Sequence, residues 1–292
     1  MIEAGRIGPG REYKVVRGAY DQSREYDAVV LHFHTHGDTA NRRRMLRAAR
    51  KKGIGVVGIT DHDSTTQLRK ARRGRNFPTI INGVEVTASN GEHVVHVTVY
   101  GNNIESPPGR PGEFSPQQVN SWAHEQGAVT AVPHPGMSVI SITPDELAIV
   151  QNDPDPTNRF DFGEIVNGSA LRYDAWIEEH PRFYRLIERF LPQAPGPNEN
   201  EKAEKILNEY VDELPFFGAS DAHDRRGVAT VINLVPKGQD PLEAIRRRDV
   251  VILQKNVIDP LRTLPFVWGI LKGELFTHGA SKLPKKMRRH IS

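Results

Sequence analysis

The 292-residue chain contains no cysteine. Structural disulfides and thiolate metal sites are therefore excluded, and any bound metal must be held by nitrogen and oxygen donors. Such donors suit zinc, manganese, iron or magnesium. A long apolar run is missing as well. The best candidate, 264–271, is broken by Pro265 and Gly269 and falls short of the roughly 20 apolar residues that a spanning helix needs. The opening MIEAGRIGPGREYK has no apolar core of the signal-peptide kind. A cytoplasmic protein without an integral membrane segment is the expectation. Internal repeats and low-complexity segments are also missing, and a hydrophobic content of 37% with 26% charged residues excludes a disordered or fibrous chain.

Strong net charge is likewise lacking, at +3, but the cations are unevenly spread. Arg42, Arg43, Arg44, Arg47, Arg50, Lys51 and Lys52 fall in one stretch, and Arg69, Lys70, Arg72, Arg73 and Arg75 in the next. Lys282, Lys285, Lys286, Arg288 and Arg289 close the chain. Solvated helix faces and a frayed tail are the default reading; a surface for nucleic acid or acidic lipid is the sharper one.

What is present is a rhythm: a short β-branched apolar run, a polar cluster, then a helical stretch. Runs at 28–31, 55–59, 79–86, 93–100, 128–132, 162–166 and 216–219 give seven candidate strands. Helices are expected from Asp38-Thr39 to Gly53, from Ser115-Pro116 to about Gln126, and from Thr143-Pro144. Others are expected over 174–190, over 198–214 and from Asp240-Pro241. Alternating strands and helices imply an α/β fold with a mainly parallel sheet. Polar residues at nearly every strand end favour a closed TIM-like barrel over an open doubly wound sheet, whose site uses one switch point. The expected organisation is an N-terminal extension over 1–26, a barrel over 27–259 and a basic, apolar C-terminal extension over 260–292. Packing on the barrel is preferred for that tail, which carries Trp268, over peripheral contact with a membrane.

Of twelve histidines, eight lie in or beside the strand-end clusters: His32, His34, His36, His62, His93, His96, His134 and His223. Strand residues two apart share a face, so His32 and His34 can present both imidazoles to one ion. Any single histidine is more often structural. A His-x-His, an Asp-His-Asp, a strand glutamate, a Pro-His-Pro and an Asp-x-His, all at strand ends, are harder to explain as chance.

The segments LHFHT (31–35), ITDHD (59–63), GVEVT (83–87), VVHVTVYG (94–101), AVPHPG (131–136) and GASDAH (218–223) together resemble the PHP superfamily, in that family's order. The resemblance implies a distorted (β/α)7 barrel with two or three divalent ions (Mn2+, Zn2+ or Fe2+) at its C-terminal mouth. By the same resemblance His32, His34, Glu85 and Asp221 hold one ion, and Glu85 bridges to a second. His62 and a residue after the first motif, Asp38 or its rival His36, complete that second ion. His96, His134 and His223 hold the third, with His93 as the competitor of His96. Glu85, Asp221 and His223 are the implied catalytic residues. Val30 stands where family members usually carry aspartate.

The implied reaction is hydrolysis of a phosphomonoester or nucleotide by a metal-bound hydroxide, with no protein nucleophile. Arg172, Arg225, Arg226 and Asn167 are the candidate substrate-binding residues, arginine forks matching phosphate oxygens. Asp63 and Asp224 stand as outer carboxylates or proton carriers on one reading and as caps on the other. The implied partner is a phosphorylated small molecule or nucleotide. A nuclease acting on nucleic-acid phosphodiesters and an amidohydrolase-type C–N hydrolase are the alternatives. The interval between His96 and His134 is too short for the inserted domain that some nucleotide-directed relatives carry.

Overall fold

The computed structural model describes residues 14–17, 25–36, 39–65, 77–91, 93–107, 109–137, 140–190 and 196–254. Asp38, the second basic stretch and the C-terminal extension lie outside the described residues.

All seven expected strands form. They are β2 (Tyr26–Phe33), β3 (Val56–Ile59), β4 (Thr79–Ser89), β5 (Val94–Tyr100), β6 (Val129–Val132), β7 (Phe162–Asn167) and β8 (Phe216–Ala222). Each pairs with the next, and β8 closes on β2 through Leu31 opposite Ala219 and Phe33 opposite Ala222, making a seven-stranded barrel. Three further strands were not read from the sequence: β1 (Lys14–Arg17), β9 (Val231–Pro236) and β10 (Val251–Gln254). The N-terminal half of β2 pairs with β9, β9 with β10, and β10 with β1, so a small sheet grows from the barrel wall.

One strand departs from the expected parallel order. β5 runs antiparallel to both β4 and β6. It returns from β4 through a tight turn, in which His93 N–H donates to Asn90 Oδ1 at 3.0 Å and Gly91 adopts φ +92°. That conformation suits glycine, which has no Cβ to clash. The reversal puts the start of β5, and therefore His96, at the same mouth as the C-terminal ends of the parallel strands.

The helices are α1 (Thr39–Lys51), α2 (Pro116–Glu125), α3 (Pro144–Gln151), α4 (Gly168–Glu179), α5 (Pro181–Phe190), α6 (Glu199–Asn208) and α7 (Pro241–Arg246). α2 and α3 begin as expected: Ser115 and Thr143 form capping boxes with Gln118 and Glu146, and proline takes the first turn. Each such cap is worth about 1 kcal/mol. The single helix expected over 174–190 is two helices meeting at His180. Pro181 cannot continue α4 but can open α5. α4 also starts earlier than expected, because the Asn167 side chain accepts from Ser169 N–H and Ala170 N–H and caps it.

Below the mouth the barrel is filled by apolar side chains. Val29, Leu31, Tyr100, Ala131, Phe162, Phe217 and Ala219 belong to one buried cluster, with the Tyr100 ring edge-on to Phe217 at 6.4 Å. Gly58 makes this packing possible, since a Cβ there would lie 2.9 Å from Leu31 Cδ2 and 3.2 Å from the Tyr100 ring. The described helices include none long and apolar enough to cross a membrane.

Candidate metal centre

The mouth is built where strands are bent out of register. β2 shifts register against β3 between Val30 and Phe33 and against β8 between Leu31 and Phe33, and β7 shifts against β8. Such bulges re-aim side chains. Eight non-glycine residues have positive φ among the described residues, and His32, His36, Asp63, His134 and Asp221 are five of them. Each costs on the order of 1–3 kcal/mol. That strain is concentrated where the side chains converge.

Glu85 is the hub. Its Oε1 lies 2.9 Å from His96 Nδ1 and 3.3 Å from both His32 Nε2 and His134 Nε2. Its Oε2 lies 3.2 Å from His34 Nε2 and from His62 Nδ1. Asp221 Oδ1 faces His34 Nε2 at 3.3 Å, His223 Nδ1 at 3.4 Å and His32 Nε2 at 3.6 Å. His32, His34, Glu85, His96 and His134 are buried, whereas the His62 and His223 side chains are 43% and 32% exposed and form the rim.

His134 Nε2 is hydrogen-bonded to Glu85 Oε1, but several of the other nitrogens are close to carboxylates without being hydrogen-bonded to them. His32 Nε2, both nitrogens of His34 and His96 Nδ1 are buried with no hydrogen-bond partner. A buried imidazole left so is costly unless something else completes it. Donor atoms fall into overlapping groups within 4.8 Å: His32, His34, Asp221; His32, Glu85, His134; His62, Glu85, His96; and His34, His62, His223. Neutral imidazoles and carboxylates are the donor set divalent ions take. The residues present therefore fit such ions.

Charge supports the same reading. Burial disfavours charge on Glu85, but the facing histidines His96, His32 and His62 outweigh it and hold its carboxyl well below the usual range. Asp221 is likewise held low against its burial by His32, His223 and His34. Burial works against protonation of His34, yet the facing carboxylates of Asp221 and Glu85 carry it up to about 9. His223 is pushed down to about 3 by burial and by its neighbour His34. A cluster with so many coupled groups suits cations in place of protons.

The donor groups are not the ligand sets that the resemblance implies. His223 stacks on His34 at 4.2 Å and groups with His62, not with His96 and His134, whose rings lie together at 5.7 Å beside Glu85. Between the two rivals on β5 and its turn, His96 enters the cluster, while His93 turns to Glu146 at 3.5 Å. His36 donates from Nε2 to the His223 carbonyl at 3.1 Å.

Supporting contacts dispose of several expectations. Asp63 accepts from Thr87 N–H and Oγ1–H at 2.7 Å, and Asp61 accepts from Thr35 N–H, Thr35 Oγ1–H and His36 N–H. The two aspartates flanking His62 are thus straps to β4 and to the end of β2. Asn167 is buried, its oxygen capping α4 and its amide donating to Glu164 and Asp221, so it has nothing left for substrate. Arg172 is buried too and forks onto Asp224 at 2.9 and 3.4 Å. Arg225 and Arg226 are exposed just beyond His223. Their carbonyls, with that of Val228, accept from Lys52 Nζ.

Two partners escaped the sequence reading. Glu164 Oε2 takes a hydrogen bond from His32 Nδ1 at 2.8 Å, and Ser141 Oγ one from His134 Nδ1 at 2.9 Å. Ser141 gives its own hydrogen to the His134 carbonyl at 2.7 Å, so Nδ1 of His134 must be the donor. A lone acid inside the apolar run 162–166 was the available signal for Glu164; Ser141 carried none.

A family model described as PHP-associated matches residues 197–250. An uncharacterized protein of Methanocaldococcus jannaschii is 29% identical over 133 residues, 44% of this chain and 72% of that one. Among solved structures, PsfC of Pseudomonas syringae aligns with a TM-score of 0.52 at 12% identity, covering 85% of this chain and 99% of that one, a likeness of fold. A two-domain protein of Bacteroides vulgatus, containing a predicted PHP-like metal-dependent phosphoesterase, aligns at 0.48 with 16% identity over 87% of this chain and 73% of that one. The weaker likeness carries no functional weight.

Proposed function

We propose that this chain is a PHP-type metal-dependent hydrolase whose substrate is a phosphate ester, a reading that the PHP-associated match over residues 197–250 supports. The observation that carries the proposal is the set of unpartnered buried nitrogens arranged around Glu85 and Asp221. His32, His34, His62, His96, His134 and His223 would hold the ions with these two acids. The groups share His32, His34, His62 and Glu85, which supports reading them as two or three adjacent positions. Divalent ions there would acidify water and neutralise phosphoryl oxygens.

The chain's own residues do the rest. Glu85 and Asp221, ionised in a buried site, supply the negative charge that retains the ions. His223 donates Nδ1–H to the Asp221 carbonyl at 3.0 Å, which puts the ring's lone pair on Nε2. The exposed Arg225 and Arg226 would meet substrate phosphate, their loop held by Asp224, which accepts from Arg226 N–H and Gly227 N–H, and by Lys52. Arg172 serves that loop through Asp224.

One observation favours a polymeric substrate as the second reading. Arg43, Arg44, Arg47, Arg50 and Lys51 are exposed along α1, which contains no acidic residue and whose end adjoins the Arg225–Arg226 loop. Aryl phosphate, a diester and short oligonucleotides should be assayed with metal-replete protein beside a C–N substrate. Phosphate release that stops on chelation and returns with Mn2+ or Zn2+ is expected; turnover of the C–N substrate alone would overturn the proposal. Steeply salt-dependent oligonucleotide binding would move the substrate to nucleic acid.

A further inference from the structure

A chain of hydrogen bonds runs behind the metal centre, on the side away from solvent. His32 Nδ1 donates to Glu164 Oε2 at 2.8 Å, and both side chains are fully buried. Glu164 Oε1 accepts from Asn167 Nδ2 at 2.5 Å, and the same amide reaches Asp221 Oδ2 at 3.2 Å. Asn167 cannot turn its amide over, because its oxygen is already accepting from Ser169 N–H and Ala170 N–H at 2.8 and 2.9 Å. Its backbone is clamped in turn by Asn200 of α6, which accepts from Asn167 N–H at 2.6 Å and donates to Asn167 O at 3.1 Å.

Every donor in this chain has one permitted direction. Glu164 needs both its oxygens as acceptors, which fixes the proton of His32 on Nδ1 and leaves Nε2 as a lone pair facing Glu85 and Asp221. Asn167 at the same time fixes which Asp221 oxygen faces away from His32 and His34.

We propose that Glu164 and Asn167 are positioning residues that commit His32 and Asp221 to one ion, fixing that ion's place before it binds. This rests on reading the site as a metal centre. His134 is held differently, by the neutral Ser141 hydroxyl. The His32 position is the one backed by charge, and outer carboxylates of this kind orient a ligand and raise its basicity.

Glu164→Gln is the informative change because the shapes match and the hydrogen bonds do not. Glutamine has one acceptor oxygen for two donors. If that oxygen serves His32, its NH2 faces the NH2 of Asn167. If it serves Asn167, its NH2 faces His32 Nδ1 and drives the ring proton onto Nε2, the atom needed by the ion.

Metal-stripped wild-type and Glu164→Gln chains are titrated with Co2+, bound ions are counted after dialysis, and near-ultraviolet circular dichroism reports the fold. Expected is the loss of one ion per chain, or a weakening of one ion by about 10–100-fold, with the others retained. Ser141→Ala should spare that ion. Unchanged number and affinity in a folded Glu164→Gln chain would overturn the proposal, whereas failure of the wild type to bind ions would overturn the metal reading itself. Should the variant not fold, the wild-type zinc form decides: long-range 1H–15N spectra should show His32 protonated at Nδ1 and coordinating through Nε2. The opposite tautomer overturns it.

Discussion

Histidine meets carboxylate at both ends of this barrel, and the two ends are built on opposite terms. At the C-terminal mouth, five histidines crowd Glu85, and several buried nitrogens have no hydrogen-bond partner. At the N-terminal end, His124 of α2 stands beside Asp161, just before β7, and both its nitrogens are matched. Nδ1 lies 2.6 Å from Thr157 O and Nε2 2.8 Å from Asp161 Oδ2, which also accepts from Thr130 N–H. One arrangement is complete within the protein; the other leaves donors of the kind that cations complete. Unsatisfied polar atoms held in place by backbone strain mark the functional end.

The largest effect should come from breaking the hub. Glu85→Gln keeps the shape but removes the charge shared by two of the four donor groups. Loss of activity should exceed the roughly 100-fold ceiling typical of outer residues, and bound metal per chain should fall by more than one ion. Retention of the full metal complement would mean that Glu85 is a counter-ion and not a ligand.

The straps come next. Asp61 is buried and accepts from two backbone N–H groups and a hydroxyl at the end of β2. Asp61→Ala leaves these donors without acceptors, at a cost of about 3 kcal/mol, which corresponds to ~6–12 °C in unfolding temperature for a chain of this size. Measuring metal-stripped protein separates this loss from any loss of ligands. A change of under about 2 °C would show that water replaces the carboxylate and that the turn carrying His34 and His36 is not held by it.

Much of this was legible. Seven apolar runs with polar ends gave the barrel strands, because a wall strand must be apolar within and its ligand must sit where the wall stops. Proline after serine or threonine gave the starts of α2 and α3. The direction of β5 was not legible, since alternation reads the same both ways. Only pairing with β4 sets it, and only then does His96 reach the mouth. Asn167 and Arg172 looked like substrate contacts because sequence shows a polar residue near a site but not whether its hydrogen bonds are already taken. The grouping of His223 with His62 was closed to sequence for a similar reason. It depends on where the backbone beyond β8 carries the ring, and the positive φ of Asp221 beside it is not announced by any residue pattern.

The smallest effect belongs to the satisfied end. The hydrogen bond to Asp161 is the largest influence on His124 and raises its pKa above the usual 6.5, burial opposing it and the charge of Asp161 assisting. A histidine whose folded pKa is raised binds its proton more tightly folded than unfolded. Its contribution is therefore fully present below about pH 6.5 and is lost as pH rises through the higher folded value. The mouth histidines also titrate, so the informative quantity is the wild-type minus His124→Gln difference, in which their distant contribution cancels. That difference should be about 1 kcal/mol, or ~2–4 °C, near pH 5.5 and should shrink toward pH 8. Glutamine can still donate to one acceptor, so a residual difference at high pH measures the second bond alone. A difference that grows with pH would mean that His124 is folded as the neutral ring and that the two ends of the barrel are less unlike than their hydrogen bonds suggest.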